Sequence, residues 1–530
     1  MVSQRIDGHP GFRTFLSDMN IIAYLLPKGI PHVNDHIGWQ WRKKRDLYQN
    51  LGTSILSTVS FIDNRTTYSV SSPEACRILN SDRRKFQKPV QLYEILKVFG
   101  SNVVVTEGEE WRRHRKIVAP GFSEKVFELV WNTSSWITFE LFKSEGWAAL
   151  EPGQSTYVLN IPALTLRPVT ATASFGAPLS WKQDPKESRG EGYEMSFVEA
   201  ISEVSENIFW LLAMPKVRQA GNSKFELIDV IQRVGLADRE LRSYMHDMIR
   251  ARREEIRHGE YSTKDDLFNG MVAASMQEES DEKSGGGLTD DELVGNIFIF
   301  ALAGHETSSH TLAFAIAYLA LHPSKQAWLF EELINVYPPS HIPTYADFPS
   351  LTRTLAVLYE TLRLHPAVVY IPKYATEDTW LPDDPDNEQE GEGKRVFVPK
   401  GTECGIDTVG LPRYWKNPNA FEPERFLEDY NRDAFAPFSA GARACIGRKF
   451  AEVEMVAVLS LLVRTYEILP LVTPDPSNID EASGSTHEPT LPNLLAEKLL
   501  DTKPGVTLTP RDIGVRLVKR REGAVSRPEE

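Results

Sequence analysis

From Leu293 to Leu321 the sequence is apolar on nearly every side of a helix and contains no proline. A capping box, Thr289-Asp-Asp-Glu292, opens the run, and Pro323 closes it. A helix that is hydrophobic all round has to sit at the centre of a large core or inside a membrane. Its middle, His305, Glu306, Thr307, Ser308, Ser309 and His310, makes the membrane reading poor. Buried polar groups cost free energy unless they are satisfied, so a polar centre in a core helix points to function or to bound water. The chain is therefore expected to wrap a large body around residues 289–322. Its composition, 41% hydrophobic, is enough for that.

A second constraint lies near the C-terminus, in Phe438-Ser-Ala-Gly441-Ala-Arg443-Ala-Cys445-Ile-Gly447. The three cysteines, Cys76, Cys404 and Cys445, do not make a disulfide framework, so a reducing compartment is the default. After Cys445, from Gly447 to about Leu462, the residues Phe450, Val453, Val456, Leu459 and Leu462 recur at helical spacing, the mark of a core helix. A cysteine just before such a helix meets the positive end of its dipole and free N–H groups, which favour a thiolate and a lowered thiol pKa. Glycines such as Gly441 and Gly447 let the backbone approach something flat and bulky that a β-carbon would obstruct. Taken alone, a cysteine of this kind is usually a small hydrophobe packed in the core. A sulfur ligand to a haem iron needs an anionic sulfur, N–H donors aimed at it and room for the macrocycle.

The pattern Phe-x-x-Gly-x-Arg-x-Cys-x-Gly, matched at Phe438, Gly441, Arg443, Cys445 and Gly447, resembles the haem-binding signature of the cytochrome P-450 family. The resemblance implies a mainly α fold with small β-sheets, with haem b (iron protoporphyrin IX) between the long central helix and the helix after the cysteine loop. It makes Cys445 the axial thiolate and places Phe438, Gly441, Arg443 and Gly447 in the cofactor bed. It extends over nearly the whole chain, strongest from 289 to 462 and thin between 130 and 275. Residues 1–530 are then one domain, although length alone suggests about three. Within it, 1–60 form the N-terminal hinge and first-helix region, 289–322 the central oxygen-activation helix, and 421–462 the meander, cysteine loop and following helix.

Other segments gain meaning beside that signature. In Glu109-Glu-Trp111-Arg-Arg-His-Arg115-Lys116, acidic residues lead and basic ones follow, as a helix dipole prefers, and Trp111 and Arg115 share a face. Alone this reads as a solvated basic face. The resemblance makes Trp111 and Arg115 ligands of a haem propionate, and leaves Arg112, Arg113 and Lys116 to steer an acidic redox partner. Ala303-Gly304-His305-Glu306-Thr307-Ser308 resembles the family's oxygen-activation motif. Gly304, with Ala303, would admit oxygen and substrate, Thr307 would hydrogen-bond dioxygen or water, and Glu306 would relay protons. The bland alternative is a Thr307 hydroxyl bonded back into its own helix. Glu360 and Arg363 lie three apart on one helix face, a pair worth little by itself. With Arg425 of Pro423-Glu-Arg425-Phe426 they resemble the family's buried structural triad. Lys373 stands where relatives carry an arginine to a propionate, and is a monodentate match.

Secondary structure is legible in places. Residues 41–51 read as a helix with a basic side, 55–70 as a hairpin broken at Asp63-Asn64, and Ser72-Pro73 as a helix start. Residues 86–105 read as an irregular, aromatic-rich loop, which the resemblance places over the substrate, and Ser205 to Pro215 read as the end of a helix that it places near the substrate roof. Val396 to Thr402 reads as a hairpin, and Val506 to Leu508 with Val515 to Val518 as a terminal hairpin. The stretches 277–287, 383–392 and 474–489 read as polar loops.

The formal net charge of −14 argues against a nucleic-acid partner. The nearest candidate for a span, Asn20 to Leu26, is far shorter than the roughly 20 residues needed. Gly8-His-Pro10-Gly11 resembles the hinge that follows a membrane anchor in eukaryotic relatives. The resemblance, fungal in its turns, thus implies the cytosolic face of the endoplasmic reticulum and contact with the membrane surface. A complete chain without a span would read as cytoplasmic. The expected activity is a haem-thiolate monooxygenase, monomeric, that inserts one oxygen atom of O2 into a small apolar molecule of secondary or xenobiotic metabolism. Its electrons come from NADPH through a separate flavoprotein, NADPH-cytochrome reductase. The alternatives are a thiolate-haem isomerase or dehydratase and a catalytically silent haem-binding protein; the Glu306-Thr307 pair counts against both.

Overall fold

The computed structural model describes residues 9–17, 30, 33, 38–43, 46–159, 189–190, 192–207, 226–259, 266–280, 286–383, 394–471, 500–504, 507–511 and 513–521. Strand β1 (Gly11–Thr14) is followed by two short helices, α1 (Trp39–Lys43) and α2 (Asp46–Leu51), and by β2 (Ile55–Ser60) and β3 (Arg65–Val70). Helix α3 (Pro73–Ser81) and strand β4 (Phe86–Gln87) lead to α4 (Gly108–Val118), α5 (Glu124–Ser144) and β5 (Ser155–Leu159). Then come α6 (Phe197–Glu206), α7 (Glu226–Arg257), α8 (Leu267–Ser280), the long α9 (Asp290–Leu321), α10 (Pro323–Val336) and α11 (Thr352–Leu364). Four strands, β6 (Tyr370–Ala375), β7 (Thr379–Asp383), β8 (Lys394–Val398) and β9 (Glu403–Asp407), precede α12 (Arg448–Thr465). The chain closes with β10 (Tyr466–Pro470), β11 (Thr502–Pro504), β12 (Leu508–Pro510) and β13 (Gly514–Lys519).

Local chemistry sets several boundaries. Thr289 accepts from the Glu292 N–H while the Glu292 carboxylate accepts from the Thr289 N–H, so α9 starts at its capping box. Ser72 caps α3 with Pro73 in its first turn. β2 and β3 pair antiparallel from Ile55↔Val70 to Ser60↔Arg65. Asn64, at φ 50°, takes the left-handed turn position that asparagine tolerates.

α9 passes through two apolar cores. Leu293, Val294, Ile297, Phe298 and Ala301 pack with Trp111, Ile117 and residues of α7 and α8. Leu312 to Ala320 pack with Val130, Trp131 and the apolar face of α12. The polar centre lies between them. A small residue permits one close crossing: a β-carbon at Gly295 would stand 2.4 Å from the Ser101 carbonyl oxygen.

The sheets correct three expectations. The six-stranded sheet runs β1-β2-β3-β9-β6-β4, and Gly11 is paired in register with Ser57. The segment read as a hinge is thus an edge strand in part, and residues 1–8 lie outside the described residues. β8 pairs with β7, whereas β9 joins the large sheet, so 399–402 link two sheets and close no hairpin. β12 pairs with β11, and β13 lies between β10 and β5. The sequence reading missed β11 because Pro504 demotes a strand pattern, yet an edge tolerates it. The 41–51 helix is two helices, α1 and α2, with 44–45 outside the described residues. The predicted 205–215 helix end falls mostly outside the described residues, as do Asn20 to Leu26, the loop 474–489 and the loop 383–392 apart from Asp383, which ends β7.

Among the described residues no helix is long and apolar enough to cross a membrane; α9, the longest apolar run, has a polar middle.

Candidate functional site

Cys445 follows a single turn at Gly441–Arg443 and precedes α12. Its own N–H donates to the Phe438 carbonyl at 2.8 Å, which closes the loop on itself. Gly441 has φ 68°, and a β-carbon there would lie 2.6 Å from the Asn80 carbonyl oxygen, so only glycine fits. Gly447 is different. A β-carbon there meets nothing nearer than Phe122 at 3.9 Å and the Cys445 sulfur at 4.0 Å. What it would fill is space beside the sulfur.

Cys445 is solvent-exposed, yet protein surrounds it closely enough that burial raises its thiol pKa. Both hold for a side chain on the floor of an interior cleft. The Gly447 N–H and the charges of Arg115 and Arg448 pull the other way without winning. The lowered pKa expected from the helix dipole is therefore corrected: desolvation outweighs one N–H and two guanidinium groups at a distance. A bound metal cation would reverse that balance.

α4 brings Trp111 and Arg115 to the same region. Trp111 is buried, Arg115 is half-buried with its charge toward Cys445, and the Arg443 guanidinium lies 3.9 Å over the Trp111 ring. Arg443 also donates to the Glu107 carboxylate at 2.6 Å and to the Thr106 carbonyl at 3.0 Å. Lys373, on β6, is buried beside Arg443 and Glu107; burial and then Arg443 lower its pKa. Phe438 is half-buried under the Arg448 guanidinium, 5.3 Å from its ring centre.

Sequence reasoning missed two members of this group. Lys88 is half-buried, and desolvation, Arg443 and Lys373 depress its pKa to about 7. Its ammonium donates to the Val104 carbonyl and lies 4.0 Å over the Tyr93 ring. Glu107 accepts from Arg443 and from the Lys88 backbone N–H, and its pKa is lowered by those bonds although burial alone would raise it. The only available signals were a lysine before Pro89 and an acid just before α4. Three cations, Lys88, Lys373 and Arg443, thus lie within the field of one carboxylate, Glu107, which only Arg443 among them meets in an ion pair.

On α9 the polar centre is bonded partly into the helix. The Thr307 hydroxyl donates to the Ala303 carbonyl at 2.8 Å, Ser309 to Glu306 at 3.1 Å and Thr311 to Thr307 at 2.7 Å. In this state Thr307 makes the back-bond that the sequence reading set aside as the bland alternative. Ala303 is exposed and Gly304, Glu306 and Thr307 are half-exposed between two buried stretches of the helix, 293–299 and 311–320, so this stretch faces an interior space. The Glu306 carboxylate accepts from the Thr507 hydroxyl at 3.2 Å.

Two further groups are structural in geometry. Glu360 accepts from Arg363 Nε at 2.6 Å and Nη2 at 2.8 Å, and from the Glu422 N–H at 2.8 Å, with Arg425 Nε at 3.3 Å. Arg363 and Arg425 each stand 5.7 Å from the Trp415 ring centre. Elsewhere Glu110, His114 and Glu292 come close enough to hold a metal ion. However, the Asn296 carbonyl accepts from Val103, so its amide donates to His114 Nδ1 at 2.9 Å and the ring proton sits on Nε2, facing Glu292. That arrangement joins α4 to α9 and leaves no ring nitrogen free for a metal. Arg113 donates to Glu292 as well, at 3.1 Å from its Nη1, so it is not the free steering charge expected of it.

Comparison with known proteins supplies the rest. The family model for Cytochrome P450 matches residues 57–495. "Cytochrome P450 monooxygenase 124" of Postia placenta is 36% identical over 511 residues, covering 96% of this chain and 93% of that protein. "Cytochrome P450 monooxygenase prx9" of Penicillium rubens is 28% identical over 473 residues, covering 82% and 78%. A solved structure, "Crystal structure of cytochrome P450DA heme domain", superposes with a TM-score of 0.67 at 22% identity, covering 90% of this chain and 92% of that one.

Proposed function

This chain belongs to the cytochrome P450 family, and from that premise we propose that its monooxygenase centre is assembled from Cys445, Trp111, Arg115, Arg443, Lys373 and Lys88 on one side and Ala303, Gly304, Glu306 and Thr307 on the other. It is a monooxygenase with a mainly α fold, small β-sheets and a haem-thiolate cofactor. The haem, when bound, supplies the iron at which dioxygen is activated, and a thiolate ligand favours O–O cleavage.

The residues present fit that cofactor. A sulfur lines an interior cleft, and a β-carbon at Gly447 would fill space next to it. Beside the cleft, around the carboxylate of Glu107, burial lowers the basicity of Lys88, Lys373 and Arg443, and the Arg443 charge lowers that of both lysines further. Like charges held together in a dry place are stable only with anions between them. Two propionates are such anions. This cation excess is the observation that carries the assignment.

Cys445 would hold the iron through its sulfur, with the Gly447 N–H stabilising the charge. Arg443, Lys88 and Lys373 would hold the propionates, and Trp111 and Arg115 would complete their side of the cleft. Thr307 would give up its bond to Ala303 to donate to dioxygen or water, and Glu306 would pass protons inward from solvent. Electrons come from NADPH through a separate NADPH-cytochrome reductase. Exposed Arg112 and Lys116 on α4 offer it a steering surface, although Glu109 and Glu278 already pair with them. The substrate is a small apolar molecule of secondary or xenobiotic metabolism, and the enzyme works as a monomer at the endoplasmic reticulum surface.

The absorption spectrum of the reduced protein under carbon monoxide tests the centre. The wild type should show the red-shifted Soret band of a thiolate-ligated haem, and Cys445→Ala should lose it. A histidine-type band in the wild type would defeat the assignment of Cys445.

A further inference from the structure

The hydroxyl nearest the Glu306 carboxylate in the sequence is that of Thr307, but it is bonded to Ala303. The carboxylate is met instead by Thr507, from the opposite end of the chain, with Oγ1 to Oε2 at 3.2 Å. Thr507 is held independently of α9. It precedes β12, whose Leu508 N–H donates to the Ala367 carbonyl at 2.9 Å and whose side chain packs with Trp41, Val369 and Val409. One helical turn after Glu306, on the same face, His310 places its Nδ1 3.4 Å from the same Thr507 oxygen.

A threonine hydroxyl has one proton to give. Given to Glu306, it leaves the oxygen to accept, so His310 Nδ1 carries the ring proton. Burial lowers the His310 pKa to about 4, which keeps that ring neutral. The donors then run in one direction, from His310 to Thr507 to Glu306. A glutamate on a helix has several rotamers, and a proton carrier works only from those that reach its acceptor.

We propose that Thr507 and His310 are positioning residues for Glu306, fixing its carboxylate through a hydrogen-bonded chain anchored on the C-terminal hairpin. The inference rests on the reading of Glu306 as the proton carrier. It adds that the end of the chain, rather than the helix motif alone, sets how well protons reach the site.

The test uses the full-length haem-loaded enzyme with NADPH and its reductase, and 7-ethoxycoumarin as a fluorescent reporter. Thr507→Val removes the hydroxyl with little change of shape. Product formed per NADPH should fall about five-fold, the worth of one hydrogen bond, with more hydrogen peroxide released. Thr507→Ser should restore coupling, and His310→Asn, which keeps a donor near the Nδ1 position, should exceed His310→Leu. Glu306→Gln should lose at least as much as Thr507→Val, and the double variant should lose no more than Glu306→Gln alone.

If Glu306→Gln uncouples and Thr507→Val does not, or if their effects multiply, the positioning inference falls while Glu306 keeps its role. If Glu306→Gln couples like wild type, the reading beneath it falls. A second readout needs no substrate: ¹⁵N-histidine spectra of the diamagnetic ferrous carbonyl form, with His310 identified by its loss in His310→Asn. The wild type should show the Nδ1–H tautomer, mixed in Thr507→Val. An Nε2–H tautomer in the wild type would overturn the proposal.

Discussion

Two charge clusters in this molecule both gather cations around a glutamate and end in opposite states. Around Glu360, Arg363 and Arg425 bring two guanidinium groups to one carboxylate, Arg425 also donates to the Glu422 carboxylate at 2.9 Å, and backbone carbonyls of Pro418, Ala420 and Lys416 take further donors. The Trp415 ring covers both arginines. Every charge has its partner within the chain. Around Glu107, three cations converge, and among the described residues they meet that one carboxylate, main-chain oxygens and the faces of Tyr93 and Trp111. Buried ions without full compensation are expensive, so the first cluster reads as a lock and the second as a socket for anions from outside. What separates scaffold from site here is whether the charge closes on itself.

The comparison can be broken at several places. The largest effect belongs to Cys445→Ala, beside the socket: the thiolate-type Soret band of the reduced carbonyl form should vanish entirely while the protein stays folded. Next is the lock. Glu360→Ala strands Arg363 in the core, while Arg425 keeps Glu422, and should cost about 3–5 kcal/mol in denaturant unfolding. An unfolding midpoint equal to wild type would show that the cluster holds nothing.

The socket should respond in the reverse sense. Lys88→Met is expected to speed haem loss to apomyoglobin at least tenfold, since a hydrogen bond to a charged group contributes about 1.5–3 kcal/mol. The haem-free protein, relieved of a repelled cation, should melt no lower than wild type. A fall as large as that of Glu360→Ala would make the two clusters alike and end the distinction.

Acid–base linkage sharpens the same point. The Lys88 pKa falls from the ordinary 10.5 to about 7 in the folded chain without cofactor, so between those values the unfolded state holds more protons. Stability of the haem-free protein should therefore rise as pH climbs from about 7 toward 10.5, and the full penalty applies below 7. Bound propionates restore the lysine's charge, so the slope should flatten in the loaded enzyme and disappear in Lys88→Met. Unfolding midpoints across that range check it. The smallest effect on folding is expected from Gly447→Ala, whose β-carbon meets nothing closer than 3.9 Å. Its melting temperature should stay near wild type while haem uptake drops; Gly441→Ala, facing the Asn80 carbonyl at 2.6 Å, should lose both.

Much of the fold was legible because its causes are local. The capping box at Thr289 and Glu292, the Ser72 cap and the long apolar stretches of α9 involve residues within a turn or two of each other. The ten-residue cysteine pattern pointed to a family that the match over 57–495 shows. Strand pairing was less legible. β8 and β9 look like the arms of one hairpin, and their separation into two sheets depends on β7 and β3, partners far away in sequence. The thiol pKa was misjudged for the same reason, since burial is a property of everything packed around Cys445.

The sequence by itself determined the family, the central helix with its polar interruption, and the residue types offered to a haem. Only the tertiary structure decided which charges face which. Lys88 meets Arg443 and Lys373, and Thr507 meets Glu306, from segments hundreds of residues apart in places. Coulomb forces and hydrogen bonds act over a few ångströms of space whatever the distance along the chain. Patterns repeating every three or four residues therefore reveal helices, and the partners of a buried charge appear only once the chain has folded.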